Sequence, residues 1–132
     1  MKLLLDTNAY GAFLRGHPTV GERVRRSTGV YMSAVVVGEL LFGFRAGTRY
    51  EKNARELQAF LENPLVAFLA VTHATAERFA LVAAGLKRRG TPIPTNDVWI
   101  AAHAFETGAE LVSLDKHFAK VEGLLWYLPP EG

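Results

Sequence analysis

Short runs of uninterrupted apolar residues alternate along this chain with longer stretches of helical spacing. Leu3–Leu5 carries no polar residue, which predicts a strand buried on both faces rather than one half exposed to water. Similar runs predict strands near Val30–Met32, Val66–Leu69, Leu111–Ser113 and Leu124–Tyr127. Between them lie helical segments. Asn8 is the expected cap of a short helix through Leu14, ended by Gly16 and Pro18. A second helix is expected over Thr19–Ser27. Ser33 caps a third, Ala34–Ala46, with Gly47 as its stop. A fourth covers Tyr50–Glu62. In Ala74–Arg89 the residues Ala76, Phe79, Ala80, Ala83 and Leu86 recur at helical spacing and predict one inward stripe. Gly90-Thr91-Pro92-Ile93-Pro94 is a loop, since two prolines and a glycine suit no regular element. A last helix spans Asp97–Thr107 and stops at Gly108.

Strands alternating with helices predict an α/β sandwich around a parallel sheet. In such sheets ligands bind beyond the carboxyl ends of the strands. The expected organisation is one domain over residues 1–128 with a loose tail over 129–132.

Against this pattern four acids stand out. Asp6 follows the first strand. Glu39 is the single charged residue between Ala34 and Phe44. Asp97 opens the last helix after Pro94-Thr95-Asn96. Asp115 follows Leu111-Val112-Ser113-Leu114. Taken singly, Asp6 reads better as a strand terminator and Asp97 better as a residue favoured by the helix dipole, and Asp115 could be an ordinary turn residue. Glu39 is harder to dismiss, although a buried Glu paired with an arginine remains an alternative. Carboxylates on apolar elements repel one another and resist desolvation unless a cation holds them. Together they point to a metal site.

Composition narrows the metal. The 132 residues include no cysteine. Disulfides and thiolate sites are excluded, and oxygen ligands alone favour Mg2+ or Mn2+, one ion or two. The lack of cysteine fits a reducing compartment, and the cytoplasm is the expected location. No apolar run is long enough to span a bilayer, and the start of the chain turns acidic too early for a signal peptide. The formal charge is +2. Gathering four acids in one pocket leaves the rest more basic, with clusters at Arg23, Arg25 and Arg26 and at Lys87, Arg88 and Arg89. These suit a polyanion, or equally two solvated helix ends.

Other chemistries lack support. No serine sits in a nucleophile elbow, and there is no Walker-type phosphate loop or dinucleotide fingerprint. His17, His73 and His103 have no partner at ligand spacing. His117 follows Asp115 by two residues and reads as an ordinary residue near the site.

The motifs Leu4-Leu5-Asp6-Thr7-Asn8, Ser33 through Glu39-Leu40 to Gly43, Pro94-Thr95-Asn96-Asp97 with Ile100-Ala101-Ala102, and Ser113-Leu114-Asp115-Lys116-His117-Phe118 occur in this order. In this the chain resembles the PIN-domain ribonucleases, and within them the VapC-type toxins of toxin–antitoxin pairs. The resemblance covers essentially the whole chain. It implies a PIN-like three-layer α/β/α sandwich with a parallel sheet of about five strands. It implies an endoribonuclease dependent on Mg2+ or Mn2+, in which metal-activated water hydrolyses RNA phosphodiester bonds. Asp6 and Asp97 would be the principal ligands, with Glu39 and Asp115 completing the catalytic pocket. Thr7, Asn8, Ser33 and Asn96 would orient carboxylates or waters around them. A cognate antitoxin and a homodimer are the implied partners, with Phe42, Phe44 and Phe60 as candidate docking residues or core. The alternatives are a PIN nuclease of RNA processing without a toxin role and a non-catalytic RNA- or protein-binding module. A phosphoryl-transfer domain using Asp6 as nucleophile is disfavoured, because Asn8 stands where a second aspartate is needed.

Overall fold

The computed structural model describes residues 1–131. Five parallel strands form one sheet: β1 (Lys2–Leu5), β2 (Gly29–Ser33), β3 (Val66–Leu69), β4 (Glu110–Val112) and β5 (Trp126–Tyr127), in the order β3-β2-β1-β4-β5. Six α-helices connect them among the described residues: α1 (Thr7–Leu14), α2 (Pro18–Arg26), α3 (Ala34–Ala46), α4 (Tyr50–Leu61), α5 (His73–Arg89) and α6 (Thr95–Thr107). A short 3-10 helix, Lys116–Lys120, follows β4 and has no periodicity by which to predict it.

β1 lies at the centre, flanked by β2 and β4. That position explains its unbroken apolar run, since Leu3, Leu4 and Leu5 are all buried. β3 is an edge strand with Ala67 and Phe68 exposed. From β1 the chain steps outward to β2 and β3, then returns to place β4 on the other side of β1. The strand order therefore reverses between β1 and β4, which opens a crevice at their carboxyl ends.

The caps show how the sequence starts each helix. Ser33 is fully buried and its Oγ accepts the Val36 N–H at 3.0 Å, as the sequence pattern predicts. Replacing such a cap by alanine costs about 1–2 kcal/mol. Ser33→Ala is therefore expected to lower the thermal midpoint by about 4–8 °C. An unchanged melting curve would remove the cap from the stability account.

Other local expectations are corrected. α1 is capped by Asp6, whose Oδ1 accepts the Thr7 N–H at 2.8 Å, and Asn8 lies inside the helix. α6 begins at Thr95, so Asp97 sits within its first turn rather than opening it. On α5 the inward residues are Thr75, Phe79, Val82, Ala83 and Leu86, while Ala76 and Ala80 face solvent. Alanine fits either side of a helix, so it is a weak marker of the buried face. α3 is not enclosed: Val36 and Leu40 are buried, but Phe42 is 77% exposed. Phe60 instead packs edge-on against Tyr10 at 5.2 Å, and Phe44 is half-buried.

The tail is docked as far as it is described. Pro129 is buried, and the Pro130 carbonyl lies 2.9 Å from His17 Nε2. His17 Nδ1 accepts the Val20 N–H and caps α2, which leaves Nε2–H to donate to that carbonyl. Gly132 lies outside the described residues.

Both basic clusters form the last turns of helices, where cations are favoured. Their positions differ. α2 ends just before β2, at the amino edge of the sheet. There Arg25 and Arg26 pair with Glu22, while Arg23 grips Glu110 at 2.7 and 3.0 Å and stacks on Tyr127. α5 runs antiparallel to α6, with Thr75 beside Glu106 and Leu86 beside Val98. Its basic end therefore lies next to the start of α6.

Candidate metal centre

The crevice between β1 and β4 is closed by short polar contacts. Asp6 N–H donates to the Val112 carbonyl at 3.1 Å, which continues the β1–β4 ladder past the strand end. Ser113 Oγ donates to Asp6 Oδ2 at 2.6 Å. The Asn8 amide bridges the same gap, with Oδ1 accepting the Leu114 N–H at 2.9 Å and Nδ2 facing Ser113 Oγ at 3.4 Å. One carboxylate is thus fixed on both oxygens, by the start of α1 and by the residue after β4.

Glu39 arrives from the second turn of α3. Its Oε1 accepts Thr7 Oγ1 at 2.9 Å and its Oε2 accepts Asn96 Nδ2 at 3.2 Å. Its carboxylate therefore lies between the first turns of α1 and α6. Asp97 is buried in that first turn of α6. Asp115 caps the 3-10 helix, with Oδ1 accepting the His117 N–H at 2.9 Å. His117 Nδ1 then lies 3.0 Å from Asp97 Oδ2 and 3.1 Å from Asp115 Oδ2.

The electrostatics bind the four acids into one group. Burial pushes the Asp97 carboxyl up to about 6, and repulsion from Asp115 and Asp6 adds to it, against a lowering contact from His117. Asp6 is also raised, chiefly by burial and further by Glu39 and Asp115, with the Ser113 and Thr7 bonds opposing. Asp6 thus feels Glu39 and Asp115, and Asp97 feels Asp115 and Asp6. Among the described residues, the basic side chain in contact with these carboxylates is His117, and no lysine or arginine pairs with them. Two features soften the repulsion: Asp6 and Asp115 cap helices, and Asp97 sits in a first turn, so each meets the positive end of a peptide dipole.

The donor set suits a hard divalent ion. All the convergent carboxylate atoms are oxygens, they are costly to leave ionised together, and one ligand atom from each of Asp97, Asp115 and His117 lies within 4.8 Å of the others. Two surface cavities, of about 490 and 420 Å3, lie elsewhere, one lined by Arg23 and Glu110 and the other by Arg78 and Glu122. The acids instead lie at the carboxyl edge of the sheet, with Asp6 and Asp97 buried and Glu39 and Asp115 partly exposed.

Of the residues singled out in the sequence, Asp6, Glu39, Asp97 and Asp115 come together, and Thr7, Asn8 and Asn96 touch their carboxylates or bridge to them. Ser33 is placed differently, since its hydroxyl is committed to the α3 backbone. Two residues at the site were not selected from the sequence as orienting groups. Ser113 holds Asp6 across 107 positions of chain. His117 stands between two acids. For Ser113 a signal existed: it is the first polar residue after an apolar strand, as Asp6 is.

Comparison with known proteins places this geometry. Residues 3–124 match the PIN domain. Ribonuclease VapC1 of Haemophilus influenzae strain R2866 is 30% identical over 131 residues, covering 96% of each chain. The tRNA(fMet)-specific endonuclease VapC of Shigella flexneri is 29% identical over 127 residues, covering 94% of this chain and 95% of that one. The solved structure of VapBC-1 from nontypeable Haemophilus influenzae superposes with a TM-score of 0.84 at 29% identity, over 97% of this chain and 98% of the other. The match runs from the first strand nearly to the last, and the protein therefore belongs to the PIN-domain family, alongside its VapC members.

Proposed function

We propose that this protein is a metal-dependent endoribonuclease and the toxin of a toxin–antitoxin pair, acting in the cytoplasm. The observation that carries this reading is the convergence of four carboxylates at the sheet's reversal point with, among the described residues, no lysine or arginine paired to them. Its relatives named above are ribonucleases, one of them acting on tRNA(fMet).

In this reading Asp6 and Asp97 are the principal ligands of Mg2+ or Mn2+, and Glu39 and Asp115 complete the pocket. The ion, when bound, supplies Lewis-acid polarisation of the scissile phosphate and makes water a stronger acid. The chain supplies the geometry. Ser113 and the Thr7 N–H hold Asp6; Thr7 and Asn96 hold both oxygens of Glu39. Side chains locked in this way keep their orientation when phosphate arrives, so little reorganisation accompanies reaction. Lys87, beside the start of α6, offers positive charge to the RNA backbone along the approach.

The antitoxin would occupy the same edge, and the exposed Phe42 on α3 is a docking point for it or for a second copy. Incubation of the purified protein with total RNA tests the activity. Discrete cuts are expected with Mg2+ or Mn2+, and none in excess EDTA. Equal cutting in EDTA would exclude a metal mechanism, and no cutting with either ion would favour a binding module.

A further inference from the structure

We propose that His117 is a direct nitrogen ligand of this metal site and biases it toward Mn2+ over Mg2+. The inference rests on the metal-centre reading above and adds a ligand to it. The backbone N–H of His117 is held by Asp115 Oδ1, so the cap that shapes the 3-10 helix also aims the ring. Nδ1 then points at Asp97 Oδ2 and at Asp115 Oδ2, 3.0 and 3.1 Å away. One nitrogen and two carboxylate oxygens from two separate elements therefore face a common point. Without an ion these contacts are made by Nδ1–H donating to the two carboxylates; an ion would take the place of that proton, and with the remaining proton on Nε2 the ring would turn its Nδ1 lone pair to the metal. Imidazole is the commonest protein metal ligand, and its softer nitrogen suits first-row transition ions. Mg2+ binds oxygen almost exclusively and gives up water reluctantly, so it gains little from the ring.

The other histidines are committed elsewhere. His17 caps α2 and meets the tail, His103 is fully buried against Glu106, and His73 begins α5 beside Glu77. None lies among the four acids. His117 itself is about half exposed, so its ring can be removed without opening the core.

The test is metal binding by the full chain rather than catalysis. Electron spin-echo spectroscopy of the Mn2+-loaded protein should show 14N modulation from a coordinated imidazole. His117→Ala and His117→Gln should both lose it. Their Mn2+ affinity should fall about 10-fold or more, the scale on which disturbing a ligand's surroundings acts. Mg2+ affinity, measured by calorimetry, should move by less than about 3-fold. Asp97→Asn serves as the control and should weaken both ions. Modulation that persists in both His117 variants, or an equal loss for both ions, would overturn the proposal while leaving the carboxylate site intact. Tighter Mn2+ binding in His117→Ala would also overturn it, showing that the ring competes with the ion. If Asp97→Asn bound Mn2+ like the parent, the metal-centre reading itself would fail.

Discussion

Asp97→Asn is expected to abolish RNA cleavage and yet make the metal-free protein more stable. The two effects share one cause. Asp97 is buried beside two other acids, and its carboxyl is pushed up to about 6 from an ordinary 3.8. The folded state therefore holds a proton more tightly than the unfolded chain between about pH 4 and pH 6. Stability falls as pH rises through that window, and above it the full penalty of an ionised, crowded carboxylate is present. The amide keeps the shape without the charge. At pH 7 the gain should be roughly 1 kcal/mol after solvent screening, a rise of about 3–6 °C in Tm. At pH 4 parent and variant should melt together. Cleavage, in contrast, loses a principal metal ligand. A fall of at least about 10^3-fold corresponds to some 4 kcal/mol of transition-state stabilisation. RNA cleavage and melting curves at the two pH values check both halves. A variant that cut RNA like the parent would remove Asp97 from the catalytic set. One that melted lower at pH 7 would show the carboxylate to be a net stabiliser.

The second large effect belongs to Phe118→Ala. This ring is 1% exposed and fastens the 3-10 helix to the core. Truncating a buried phenylalanine costs about 3–5 kcal/mol, the lost burial plus the cavity left behind. A drop of about 10–20 °C in Tm is expected. The loss should also reach the site, because Asp115 and His117 stand on the same short helix and owe their placement to that anchor. Mn2+ binding by the folded fraction should weaken even though no ligand is altered. Lys120→Ala, on the exposed side of the same turn, should change stability by less than about 0.5 kcal/mol. If Phe118→Ala melted within a few degrees of the parent, the anchoring role would be refuted.

Much of this architecture is legible in the residues themselves. The apolar run Leu3–Leu5 announces a doubly covered strand, and Ser33 announces the start of α3, because burial and capping are local demands. The four acids are legible for a related reason: a charge at the end of an apolar element is conspicuous wherever the chain goes. What stays hidden depends on distant neighbours. The contact from Ser113 to Asp6 spans 107 positions, and no local pattern encodes it. The placement of His117 requires the 3-10 turn, whose mixed residues have no period. Ala76 and Ala80 mislead because a methyl group is at home on either side of a helix. Phe42 stays divided between docking residue and core in the sequence, since a large apolar side chain suits either, and only the structure shows it exposed. Asn8 is the instructive case: it is a good cap by type, but Asp6 reaches the Thr7 N–H first, and the amide is freed to span the crevice.

The alignment of β1 with β4 has one further consequence. Leu5 stands opposite Val112, and this pairing sets Asp6 level with Ser113. A slip of one residue would reverse which way every following side chain faces. The spacing of Asp6 and Ser113 is thus measured out by main-chain rungs in the driest part of the molecule. Loops around the rim can drift in sequence without detuning it, whereas an insertion inside either strand would dismantle the site with all four acids still in the sequence.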